Sequence, residues 1–110
     1  MSDLPSDISI EPVWLVEATY APDAAETRIP VRAEHLAGIE SRKAVGTYIE
    51  AGAYMDVSSS VIMVRAADEA QAIATVSDDV YLRNGIWVEV RARRFGRVTG
   101  GADESGTGVG

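Results

Sequence analysis

The chain of 110 residues contains no cysteine. Disulfides, thiolate zinc sites, iron–sulfur clusters and thiol nucleophiles are therefore excluded, and the missing disulfide framework fits a reducing cytoplasm. Histidine is almost as scarce, with His35 the only one. No apolar run approaches the ~20 residues needed to cross a bilayer, and Met1–Asp7 lacks the basic-then-apolar order of a secretory leader. A cytoplasmic protein with no membrane partner is expected. Bases are few: 10 Lys and Arg stand against 17 Asp and Glu, a net charge of −7. Such a surface repels a phosphate backbone, so nucleic acid is not an expected partner. The one basic cluster, Arg91, Arg93, Arg94 and Arg97, reads as a solvated strand face or as partners for carboxylates. Phosphate loops and dinucleotide fingerprints are missing, since Gly100-Gly101 lies in a tail and not between a strand and a helix. No two-histidine or histidine-plus-carboxylate spacing marks a metal site, and no metal or cofactor is expected.

What is present makes one domain with a single core. Residues 1–12 carry Pro5 and Pro12 with little periodicity, and residues 99–110 form a Gly-rich tail with almost nothing to bury. Both ends are expected to be flexible around a folded unit at 13–98. Val13–Tyr20 reads as a strand that Pro22 ends, with Glu17 interrupting it as an edge or wetted-face charge, or as a wall of a polar cavity. Pro30 suits the first turn of a helix running to about Val45 and stopping at Gly46. Arg32, His35, Leu36 and Ile39 then fall on one side of it. Strands follow at Thr47–Gly52 and Ser60–Arg65. Asp68 and Gln71 form a capping-box-like pair for a second helix whose inner stripe is read as Ala70, Ile73 and Ala74. After the turn Ser77–Gly85, Ile86–Arg93 alternates as a last strand.

The order βαββαβ, with right-handed crossovers, gives an α+β ferredoxin-like fold: a four-stranded antiparallel sheet with both helices on one face. The first, third and fourth strands nevertheless carry apolar residues at both parities. Val13 and Leu15 stand against Trp14 and Val16, Val61 and Met63 against Ile62 and Val64, and Ile86, Val88 and Val90 against Trp87. An uncovered apolar face of that size predicts a homodimer closed through the open sheet face.

These residues resemble the YCII-related (YciI-like) family of dimeric α+β barrels. Its members carry Arg-x-x-His-Leu on the first helix, an Ala-Gly-Pro turn after the second strand, and Asp-Pro-Tyr-Val-x-x-Gly before the fourth. Here the elements stand as Arg32-Ala33-Glu34-His35-Leu36, Ala51-Gly52-Ala53, and Asp79-Val80-Tyr81-Leu82-Arg83-Asn84-Gly85. Ala53 and Val80 replace the family's prolines, so the turn that delivers Asp79 lacks its usual rigid residue. The resemblance implies a ferredoxin-like dimer and an active site built around His35 and Asp79. The family includes a dehydrochlorinase of a chlorinated hydroxylated aromatic, which implies a site able to host lyase-like chemistry.

An imidazole titrates near neutrality, and a carboxyl group bonded to one ring nitrogen fixes the tautomer and leaves the other nitrogen for proton transfer. No separate nucleophile is evident, because Ser58, Ser59 and Ser60 read as loop composition. The expected chemistry is cofactor-free, lyase- or isomerase-like proton transfer on a small aromatic or anionic ligand. In it His35 acts as the base, Asp79 orients it, and Arg32, Tyr81 and Glu17 contact substrate. Two alternatives remain open: a non-catalytic dimeric module that binds a small molecule or a protein, and a cofactor-independent monooxygenase of the same fold.

Overall fold

Aromatic and β-branched residues dominate Ile8–Tyr20, which forms strand β1 in a computed structural model that describes residues 5–100. Beyond Pro22 come a short helix, α1 (Ala24–Thr27), and a single 3-10 turn, Ile29–Val31. Pro30 lies in that turn, where its missing amide hydrogen breaks no bond. Helix α2 (Arg32–Ala44) follows, and Gly46, with φ of +87°, ends the helical course in a conformation a side chain would strain. Strands β2 (Tyr48–Ala53) and β3 (Ser59–Val64) make a hairpin. Helix α3 (Glu69–Ser77) is capped by Asp68, whose carboxyl group accepts from the Gln71 amide at 2.8 Å, while the Gln71 side chain returns to the Ala67 amide. The one-turn helix α4 (Val80–Arg83) and the long β4 (Trp87–Gly100) complete the chain.

The sheet runs β2-β3-β1-β4 with every neighbouring pair antiparallel, so the molecule is α+β with the expected ferredoxin-like topology. One face carries Val16, Ala18, Tyr20, Ile62, Val64 and Trp87, which pack with Ala72 and Val76 of α3 and with Tyr48 and Tyr81 into the core. Leu15, Glu17, Val61 and Met63 occupy the intervening positions and turn to the other face.

Three details depart from the sequence reading. Ile8–Pro12, expected to be flexible, continues β1 by pairing with Gly96–Gly100; there the Glu11 carboxylate clasps both Arg65 (2.7 Å) and Arg97 (2.8 Å). Residues 1–4 and 101–110, also expected to be flexible, lie outside the described residues. The inner stripe of α3 is Ala72 and Val76 with Ile73 half-buried, while Ala70 and Ala74 are exposed; the helix starts where expected, and its packing on the sheet core turns the 72–73–76 face inward. Finally, Val90 shares the helix-covered face with Trp87. A register shift between Thr19 and Tyr20 leaves Val88 extra on β4, and one extra residue reverses every side chain on one side of it.

The basic cluster of β4 is largely paired. Arg91 bonds Glu17 at 2.9 Å and Arg97 bonds Glu11, while the Arg94 guanidinium lies 5.1 Å from the centre of the Trp14 ring. Exposed pairs of this kind contribute about 0–1 kcal/mol each, so they fix the register of β1 and β4 more than they add stability.

Tyr48 is a costlier residue. Its ring is buried under Arg42 and its hydroxyl has no partner among the described residues. Burial pushes the phenol up to about 12, so the stability present below the ordinary tyrosine range is lost as pH rises from about 10 through 12. Tyr48→Phe is expected to stabilise the fold by about 1 kcal/mol and to flatten that alkaline loss, as read by urea unfolding at neutral and alkaline pH. A destabilisation of similar size would show that the hydroxyl has a partner.

Candidate functional site

The site is built where α2 crosses the helix-covered sheet face near α4. The three-and-four spacing of Arg32, His35, Leu36 and Ile39 turns all four toward one cavity of about 430 Å³. Only His35 among the residues of α2 is buried. The cavity is floored by the sheet at Tyr20, Ser60, Ile62 and Trp87, walled by Tyr81, and rimmed by the β2–β3 loop at Tyr54, Met55 and Val57.

Asp79 reaches the ring without the usual proline. It stands in extended backbone, with φ −71° and ψ 144°, as the N-cap of α4. One carboxyl oxygen, Oδ1, accepts from the Tyr81 amide at 2.8 Å and meets His35 Nδ1 at 2.8 Å. The capping bond does what a proline at position 80 would otherwise assist: it fixes where the helix starts and hence where the aspartate points. The pair is buried, with 5 % exposure for His35 and 2 % for Asp79.

The imidazole is also held by its faces. It stacks on the Tyr81 ring at 3.6 Å between centres and 6° between planes, and it meets Trp87 edge to face at 5.4 Å. Trp87 in turn meets Tyr81 edge to face. With the Asp79 bond on Nδ1, two directions of ring motion are blocked. A carboxylate can only accept, so the Asp79 contact favours the tautomer with its hydrogen on Nδ1, in which Nε2, which has no partner among the described residues, has a free lone pair.

Around this pair the polar groups differ in what they satisfy. Ser60 donates to the Tyr20 hydroxyl at 3.0 Å. The Tyr81 hydroxyl and Trp87 Nε1 are buried with no partner among the described residues, and burial pushes the Tyr81 phenol up. Unmet donors of this kind each cost about 1–3 kcal/mol, which a protein carries more often at a binding site than in a plain core. A smaller cleft of about 210 Å³ lies on the far side of the pair, bordered by Glu34, Arg42, Asp78 and Arg83. Among the described residues, no three His, Asp or Glu side chains gather as metal ligands.

Of the residues read from the sequence, the structure brings His35, Asp79, Arg32 and Tyr81 together. Glu17 is not with them. It faces the other side of the sheet, paired with Arg91, because odd-numbered positions of β1 point away from the helices once Val16, Ala18 and Tyr20 point toward them. Sequence reasoning passed over Tyr20, Trp87, Ser60 and Arg28, which also line the cavity. The inward parity of Tyr20 and Trp87 at facing strand ends was the available signal; Arg28 had none, since it lies between two short helical turns.

No helix among the described residues is long and apolar enough to cross a membrane. No curated protein matches the chain. Among solved structures, the fold is similar to 5-chloro-2-hydroxyhydroquinone dehydrochlorinase (TftG) from Burkholderia phenoliruptrix, in complex with 2,5-dihydroxybenzoquinone. The TM-score is 0.64 at 21 % identity, over 76 % of this chain and 92 % of that one. The family model for the YCII-related domain matches residues 13–96, which hold the His35–Asp79 pair, the cavity and all but the outer ends of the sheet, and the chain belongs to that family.

Proposed function

We propose that the chain is a small enzyme of lyase or isomerase type that works without a cofactor, moving a proton between His35 Nε2 and a small ligand in the cavity. The observation that carries this reading is the buried 2.8 Å contact between Asp79 and His35 Nδ1, which turns the free lone pair of Nε2 away from the carboxyl group. Asp79 positions the ring and stabilises it when it holds two protons, as a carboxylate does beside any imidazole base. Tyr81 and Trp87 keep water from the ring faces, and Arg32 offers charge-assisted hydrogen bonds to a ligand oxygen. The similar fold of a dehydrochlorinase with a dihydroxybenzoquinone bound supports a ligand of that size.

We also propose that two copies pair through the open sheet face. Leu15, Val61 and Met63 lie there beside Glu17 and Arg91, and Phe95 adds an exposed ring at 41 %. Burial of these apolar groups would favour the pairing, and the ion pairs on the same face would set its register.

The test uses 2,5-dihydroxybenzoquinone as a probe, followed by NMR in deuterated buffer. The parent protein is expected to speed exchange of the ring C–H for deuterium. His35→Asn, which keeps an N–H for Asp79 but has no base at Nε2, is expected to slow the catalysed exchange by about 10²-fold or more. Equal rates in both proteins would sink the proton-transfer reading. Binding of the probe without exchange in either would favour the non-catalytic module.

A further inference from the structure

Acidic side chains outnumber basic ones 17 to 10 in this chain, so an arginine has no shortage of carboxylates to meet. Arg42, Lys43, Arg65, Arg83, Arg91 and Arg97 all lie within 4 Å of one. The other four, Arg28, Arg32, Arg93 and Arg94, have no carboxylate partner among the described residues; Arg93 and Arg94 lie on β4, whereas Arg28 and Arg32 line the cavity. Burial pushes the Tyr81 phenol up, and both guanidiniums work against that rise.

Arg28 is the more constrained of the two. Its amide donates to Ala24 O and its carbonyl accepts from the Val31 amide, each at 3.0 Å, so the stem leaves a backbone fixed between α1 and the 3-10 turn. The side chain is half-buried, whereas Arg32 is exposed. A half-buried guanidinium gives up part of its hydration and regains it only from an acceptor with matching geometry. The rest of the lining includes the apolar Leu36, Ile39, Val57 and Ile62, and its one carboxylate, Glu40, is exposed. Lys43, the other cavity-lining base, is already tied to Glu50 at 3.3 Å.

We infer that the ligand of this cavity carries a carboxylate, gripped by Arg28 with Arg32 beside it, and that Arg28 selects acids over neutral molecules of the same shape. This deepens the proposed function, since it takes the cavity as the ligand site, but it does not depend on proton transfer at His35. The two guanidiniums would anchor one end of a flat acid while the apolar walls take its body and the His35–Tyr81 stack bounds it. A guanidinium fork meets a carboxylate through two parallel N–H···O bonds, which a carboxamide cannot accept equally because one of its two heteroatoms is itself a donor.

The probes are benzoate and benzamide, nearly identical in shape, titrated into the intact chain and followed by NMR shifts of cavity amides. Benzoate is expected to bind at least 10-fold more tightly than benzamide. Arg28→Met should erase that preference by weakening benzoate alone, and Arg28→Lys should restore part of it. Arg93→Met removes an arginine that lies outside the cavity and should leave the benzoate preference unchanged. Arg28 makes no side-chain hydrogen bond among the described residues, so its variants are expected to unfold at the parent's temperature. His35→Asn should leave the benzoate preference in place; if it abolishes proton exchange while the preference survives, the acid site stands apart from the base. Equal affinity for the two probes, no benzoate binding at the limit of solubility, or an undiminished preference in folded Arg28→Met would each overturn the inference.

Discussion

Asp79→Ala is expected to cost about 3–4 kcal/mol of folding stability. Two losses add up behind that figure. The Asp79 carboxyl group caps α4 through the Tyr81 amide, and losing such a cap costs about 1 kcal/mol. The same oxygen is the partner of a buried histidine nitrogen, and stranding that group costs about 2–3 kcal/mol more. Domains of this size have only about 5–15 kcal/mol in total, so the variant should unfold at a visibly lower urea concentration. Asp79→Asn keeps an oxygen for the cap and for Nδ1–H, and is expected to cost about half as much. An Asp79→Ala change costing under 1 kcal/mol would mean that the aspartate merely decorates the turn and does not hold the ring. In the proposed mechanism activity rests on the same carboxyl oxygen as this stability, and variants at this position need both readouts.

The second large effect concerns the open sheet face. Leu15→Arg puts a charge among Val61, Met63 and Phe95, opposite Arg93 on the neighbouring strand. A buried like-charge contact at the centre of an interface costs at least about 3 kcal/mol, or a hundredfold in dissociation constant. Sedimentation at micromolar concentration is expected to show the parent as a dimer and Leu15→Arg as a monomer with its core intact, since Leu15 points away from the helices. A parent that sediments as a monomer across that range would remove the dimer from the account.

The sequence carries the fold wherever the pattern is periodic and the ends are chemically marked. Gly46, Asp68 and Pro22 each place a boundary within a residue or two, because each enforces a backbone state or satisfies an end group on its own. The errors arise where a partner strand decides. Ile8–Pro12 has weak periodicity, yet it pairs because β4 extends far enough to meet it. Val90 changes face because of one extra residue opposite β1, and nothing local to Val90 announces that shift. For the site, helix spacing is enough to align Arg32 with His35, whereas Asp79 lies 44 positions further along the chain and its approach is legible only through the family's motif. Glu17 shows the converse. Its charge suggests function, but its face follows from parity: with Val16 and Ala18 inward, Glu17 lies outward beside Arg91.

The position of the ring proton on His35 is the central claim of this account, and nitrogen-15 NMR of the imidazole reads it without a substrate. At a pH where the ring is neutral, the expected spectrum has Nδ1 protonated, in slow exchange and coupled to Asp79, with Nε2 bare. Asp79→Asn should leave that tautomer weakly favoured, and Asp79→Ala should release it to the mixture seen in free histidine. A parent spectrum with Nε2 protonated and Nδ1 bare would contradict the account, because the nitrogen facing the ligand would then have no lone pair with which to take a proton.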